Sequence, residues 1–199
     1  MDHSELLRDQ AALRAEADAV HRDLHLAERL TAIGTPTVVG SAALGVMVRR
    51  DLDIDVACAT LDASAVAAVG ARLAAHPRVR VVTFRNDTGA WNTEPDVYPD
   101  GLYLGVECLS PAGSVWTLDI WFLTDPERQP STAHLTTLLP RLTDELRAHI
   151  IDIKRAWADR PEYGGPVKSV DIYRAVIDDE VRDPAQFEEW MTRQRQRHP

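Results

Sequence analysis

Arg49-Arg50-Asp51-Leu52-Asp53-Ile54-Asp55-Val56-Ala57-Cys58 alternates acids with apolar residues. That is the period of a half-buried strand. Side chains at i, i+2 and i+4 share a face, so Asp51, Asp53 and Asp55 project together while Leu52, Ile54 and Val56 enter a core. Asp is depleted in strands, and clustered carboxylates repel. A cation beside them removes that cost, and a hard divalent ion with oxygen ligands, Mg²⁺ above all, is the natural one. The stretch predicts a metal-dependent enzyme on an α/β frame.

The segment just upstream supplies a second element of chemistry. Pro36-Thr37-Val38-Val39 is a β-branched run that predicts a buried strand, and Gly40-Ser41 follows at once. Glycine lets the backbone turn tightly and approach a ligand. A short helix predicted over 42–48 offers unpaired N–H groups, and the Ser41 hydroxyl adds a donor, which together make a phosphate cradle. A nucleoside triphosphate with Mg²⁺ fits between this cradle and the acidic strand.

The rest of the chain reads as a frame around these two segments. Leu6, Leu13, Val20, Leu24 and Leu30 form a helical stripe over 4–33, with Ser4 as cap and Gly34 as stop. Asp62 caps a helix predicted over 62–76, and a strand is expected over 78–84. Residues 86–101 form a long loop with Gly89, Trp91, Pro95, Tyr98 and Pro99, a length that points to function. Strands over 102–109 and 115–123 are joined by Ser110-Pro111-Ala112-Gly113-Ser114, a hairpin signal. Helices are expected over 131–158, with a break at Pro140, and over 168–179 and 184–196. The division drawn is an α/β core over 1–126 and a helical C-terminal region over 127–199.

Of 199 residues, 45% are hydrophobic and 27% charged, ordinary values for a globular chain long enough to bury a core. The net charge of −9 argues against broad electrostatic binding to nucleic acid or anionic lipid. Cys58 and Cys108 lie in apolar strand-like stretches and read as small buried hydrophobes, with nothing suggesting a disulfide. The polar start Met1-Asp2-His3-Ser4-Glu5 does not read as a signal peptide, and no apolar run is long enough to span a membrane. The expectation is a cytoplasmic protein without membrane contact.

Val39-Gly40-Ser41, a gap of eleven residues and then Asp53-Ile54-Asp55-Val56 resembles the signature of the DNA polymerase β-like nucleotidyltransferase superfamily. The resemblance implies a mixed sheet flanked by helices, with Asp53 and Asp55 binding two Mg²⁺ ions and a third carboxylate on a later strand. Asp119, the lone acid in Trp116-Thr117-Leu118-Asp119-Ile120-Trp121-Phe122, fits that role; an ion pair or a solvent-facing edge is the alternative. A register on Asp51 and Asp53 is the other reading of the strand. The gap and the apolar Val56 favour Asp53 and Asp55, with Asp51 standing where relatives carry an Asp or Ser ahead of the pair. Gly40, Ser41 and Arg49 are the candidates for holding nucleotide, and a solvated arginine is the alternative for Arg49 and Arg50.

The implied reaction moves a nucleoside monophosphate from an NTP, with ATP expected, to an acceptor hydroxyl, releasing pyrophosphate. The short acidic chain is similar to the antibiotic nucleotidyltransferases of this superfamily, so the expected acceptor is an aminoglycoside- or lincosamide-like molecule. A tRNA or protein acceptor, as in toxin-type relatives, is the alternative; the acidic balance weighs against tRNA, although Arg193-Gln194-Arg195-Gln196-Arg197-His198 is basic. A silent nucleotide- or partner-binding module is the third reading, and a homodimer is compatible with the family.

Glu107 is a candidate general base or a cross-strand surface residue. Lys154, Arg155, Lys168, Asp171 and Tyr173 are candidates for completing a pocket, against solvated helix faces. His21 and His25 stand one helical turn apart but lack a third ligand.

Overall fold

The protein, as a computed structural model, is described over residues 2–197. Its centre is a five-stranded mixed sheet of β1 (Thr35–Val38), β2 (Asp51–Ala57), β3 (Val79–Asp87), β4 (Gly101–Leu109) and β5 (Val115–Leu123). The strand order is β1-β2-β5-β4-β3. β2 and β5 run parallel, and the other neighbours are antiparallel.

Alternation along the three central strands gives this sheet one apolar and one polar face. Leu52, Ile54 and Val56 of β2, Leu118, Ile120 and Phe122 of β5, and Leu102, Leu104 and Val106 of β4 are all buried. Each such side chain stabilises the fold by about 1.5–3 kcal/mol. The helix α4 (Ala63–Ala74) covers part of this face with Val66, Val69, Gly70 and Leu73. It starts where Asp62 Oδ1 accepts from the backbone N–H groups of Ser64 and Ala65, at 2.9 and 3.0 Å.

The chain divides into two compact units, one of residues 13–44 and 49–140 and one of residues 1–12, 45–48 and 141–199. The first holds the whole sheet, α4, the short helices α2 (Leu26–Thr31) and α3 (Gly40–Leu44), and α5 (Pro130–Thr137). The second is built on α6 (Asp144–Trp157), α7 (Ser169–Ile177) and α8 (Pro184–Arg197). Its core includes Ile150, Ile151, Ile153 and Ile172, with the Trp157 and Phe187 rings edge to face at 5.3 Å. The first helix, α1 (His3–Asp23), contributes residues to both units.

The long helix expected over 4–33 is interrupted. α1 ends at Asp23, His25 takes a left-handed conformation with φ 51°, and α2 follows. Leu24 and Leu26 are both buried. Two residues apart on a continuous helix do not face the same way, so the chain turns between them to bury both. The turn also breaks the helical spacing that made His21 and His25 a pair. The expected break at Pro140 is present, as a 3-10 turn over Leu139–Arg141 between α5 and α6. Cys58 and Cys108 are buried and free. Among the described residues no helix is long and apolar enough to cross a membrane.

Candidate active site

The polar face of the sheet gathers the predicted acids. Asp53 of β2 and Asp119 of β5 are register partners, so they stand side by side on adjacent strands. Asp55, two residues on from Asp53, shares their face and is buried. Asp51 lies on this face opposite Thr117.

Each of two acids is held by hydroxyls that the sequence reading did not find. Ser131 and Thr132, in the first turn of α5, donate to Asp55 Oδ2 at 2.8 and 2.7 Å. Burial pushes the Asp55 carboxyl above the usual carboxylate range, and these two hydrogen bonds pull it partly back. Tyr103 of β4 donates its hydroxyl to Asp119 Oδ1. Burial, and then the bond to the Asp119 carboxylate, push the Tyr103 phenol upward, so it stays a donor at neutral pH.

Gly105 gives Tyr103 its path to Asp119. It is the register partner of Asp119, and a Cβ there would lie 2.6 Å from the Tyr103 hydroxyl. The one signal in sequence was alternation, which puts Tyr103 on the acid face. The hydroxyls of α5 left none, because their partner is 76 residues or more away in the chain.

Gly40 and Ser41 open α3 just after β1, so the short helix expected over 42–48 begins two residues earlier and ends at Leu44. Gly40 has φ +61°, and a Cβ on it would sit 2.9 Å from Asp53 Cγ. The glycine therefore lets the chain pass against the acid. Ser41 is buried, and its Oγ has no hydrogen-bond partner among the described residues. Arg49 is exposed just ahead of β2. Arg50 is committed to Glu16 at 3.0 Å.

The other sequence candidates have structural occupations. Glu107 pairs with the exposed Arg80 at 2.8 Å. Lys154 is buried and donates to the Val46 carbonyl at 2.9 Å, and Tyr173 is buried. Asp171 accepts from the Lys168 backbone N–H at 2.7 Å in a capping box, and Arg155 pairs with Asp9 at 2.8 Å. In the basic tail Arg193 lies 3.8 Å from Glu189, and His198 lies outside the described residues.

The donor chemistry of Asp53, Asp55 and Asp119 suits a hard divalent ion. The orphaned Ser41 hydroxyl and the space left by Gly40 suit an oxygen-rich ligand beside it. Among the described residues, however, no group of three or more His, Cys, Asp or Glu is already drawn together to hold a metal. The hydroxyl bonds to Asp55 and Asp119 orient these carboxylates without converging them.

No protein-family model matches the chain, and no curated protein matches it. Solved structures do. Cid1 in complex with the UTP analog UMPNPP superposes with a TM-score of 0.56 at 16% identity, over 88% of this chain and 54% of that one. The Cid1 poly(U) polymerase crystal structure gives 0.56 at 17%, with the same coverage. The GLD-2/RNP-8 complex gives 0.53 at 14%, over 88% and 56%. The chain spans about half the length of these structures. At such identities the likeness is one of fold: a mixed sheet flanked by helices, the architecture that the sequence resemblance implied.

Proposed function

We propose that the protein is a Mg²⁺-dependent nucleotidyltransferase that moves a nucleoside monophosphate from an NTP to a hydroxyl of a small molecule. The observation that carries the reading is the side-by-side placement of Asp53 and Asp119, with Asp55 on the same face and Gly40-Ser41 against Asp53. Asp53, Asp55 and Asp119 would hold Mg²⁺, which when bound neutralises triphosphate charge and polarises the reacting oxygens.

The chain's own residues do the rest. Gly40 brings backbone close to the phosphates, and the buried Ser41 hydroxyl donates to one of them. Ser131 and Thr132 fix the Asp55 carboxylate, and Tyr103 fixes Asp119 through Oδ1, leaving Oδ2 to take the acceptor proton. The acceptor oxygen bonds to the α-phosphorus as the bond to pyrophosphate breaks. Asp119 is preferred to Glu107 as base because Glu107 is paired with Arg80. Positioning supplies much of the rate.

A second reading has an RNA 3′-hydroxyl as acceptor, since one neighbouring structure is a poly(U) polymerase. The net charge of −9 favours the small acceptor. The deciding experiment is calorimetric binding of ATP, GTP, CTP and UTP, with and without Mg²⁺, to wild type and to Asp53→Ala/Asp55→Ala. Mg²⁺-dependent binding that the double variant loses supports the reading. A folded wild type that binds no nucleotide removes it.

A further inference from the structure

Two of the groups that nucleotidyl transfer would use are out of reach in this structure. Ser41 is 7% exposed, and its Oγ is fully covered without a hydrogen-bond partner among the described residues. Asp55 is 2% exposed, whereas Asp53 and Asp119 are only half-buried. A phosphate oxygen cannot accept from Ser41, and a hydrated cation cannot reach Asp55, until a covering element moves.

That element is α5. Ser131 and Thr132 in its first turn donate to Asp55 Oδ2 at 2.8 and 2.7 Å. The helix also packs on α3, whose second residue is Ser41. One short helix therefore lies against both the covered acid and the helix that carries the covered hydroxyl.

No apolar anchor holds α5 down. None of its eight residues is buried, whereas α4 in the same unit buries Val66, Val69, Gly70 and Leu73. Helices in proteins are held mainly by the burial of an apolar face, so α5 rests on polar contacts and belongs to the part of the fold that opens at least cost. Its approach is tied down: Arg128 donates to the Pro95 carbonyl at 2.7 Å, and Gln129 is 8% exposed. Its far end runs into the 3-10 turn over Leu139–Arg141, broken by Pro140. The movable piece is thus the segment between Gln129 and Pro140.

We propose that α5 is a lid over Ser41 and Asp55, with the Ser131 and Thr132 hydroxyls as its latch. Swung away, it opens both groups to a triphosphate and a cation. Back in place, the same hydroxyls fix the Asp55 carboxylate around what has entered and exclude water. The identity of what enters rests on the nucleotidyl-transfer reading; the motion does not.

The test places a thiol at the covered position. In Ser41→Cys, reaction with 5,5′-dithiobis(2-nitrobenzoate), without nucleotide or metal, reads opening alone. Cys58 and Cys108 are buried, and wild type gives their background rate. The expected result is labelling at least tenfold slower than that of the same thiol in the unfolded chain. Adding Ser131→Ala and Thr132→Val should accelerate it at least tenfold, and Ser131→Ala alone should fall between. Thermal unfolding and hydrogen exchange of the α4 amides should stay as in Ser41→Cys, which separates lid opening from loss of the fold. Labelling of Ser41→Cys at the unfolded-chain rate, no acceleration by the latch substitutions, or acceleration matched by faster α4 exchange each overturns the lid. If the thiol behaves as expected in a chain whose wild type binds no nucleotide, the lid stands and the transfer reading falls. If the thiol is open from the start in a chain that binds Mg²⁺·NTP, the lid falls and the transfer reading stands.

Discussion

Replacing Gly40 by alanine tests the site at the point where backbone and acid meet. The residue has φ +61°, and an alanine held there costs about 1–2 kcal/mol. Its Cβ would also lie 2.9 Å from Asp53 Cγ and 3.2 Å from Asp53 Cβ, so the strand side chain itself must move rather than only its tip. Overpacking of this kind costs a further 1–3 kcal/mol or about that. The expected loss is roughly 2–5 kcal/mol, and at roughly 2–4 °C per kcal/mol for a chain of this size the melting temperature falls by roughly 4–20 °C. Gly113, in the β4–β5 turn, has φ +89° with open space around it, so Gly113→Ala carries the backbone cost alone. Differential scanning calorimetry of both variants separates strain from collision, and Mg²⁺·NTP titration reads the displaced Asp53. The reasoning fails if Gly40→Ala loses no more stability than Gly113→Ala and binds nucleotide as wild type does.

Tyr103→Phe removes the donor to Asp119, so kcat should fall about 10- to 100-fold with nucleotide affinity little changed, read by steady-state kinetics beside calorimetry. Because burial raises the Asp55 carboxyl, its contribution to stability is full below the ordinary value of 3.8 and is lost as pH rises through the folded-state value. Asp55→Asn should therefore raise stability at pH 7 by about 0.5–2 kcal/mol while losing Mg²⁺-dependent nucleotide binding; a lower melting temperature at pH 7 would count against the electrostatic account. Glu16 behaves in the opposite sense. Burial raises its carboxyl, but hydrogen bonds from Ser110 and Arg50 outweigh this and hold it at about 2. Its contribution is present above the ordinary 4.5 and lost as pH falls toward about 2, so Glu16→Gln should cost about 1–3 kcal/mol at pH 7, with the gap to wild type closing over that window in pH-dependent melts.

What could be read from the chain followed from local period. Alternation put Asp53, Asp55 and Asp119 on strands, and the strands appear within a residue or two of where alternation placed them. The Gly40-Ser41 start of α3 was legible because glycine supplies the positive φ that the chain takes there. Two kinds of information were not local. Beside β1, β2 pairs with β5 and not with β3, the strand next in sequence, so the pairing of Asp53 with Asp119 comes from topology. The hydroxyls of Ser131 and Thr132 look like ordinary first-turn residues until the fold sets α5 over Asp55. The turn at His25 was hidden for a different reason. Leu24 and Leu30 fit a helical stripe, and only the burial of Leu26 beside Leu24 shows that the stripe changes direction.

The two faces of one sheet set the balance between folding and chemistry. Residues Leu52, Ile54 and Val56 anchor β2 in the apolar core, so the register of Asp53 and Asp55 cannot slip by one without burying acids and exposing that core. The same anchoring makes repulsion among the acids tolerable, because the strand cannot move to relieve it. Hydroxyls then provide what the backbone does not: Ser131 and Thr132 satisfy a carboxylate whose pKa burial raises, and Tyr103 orients the Asp119 carboxylate. Substitutions on the apolar face should therefore lower stability and activity together, whereas substitutions among the acids should separate them, with activity falling while stability holds or rises.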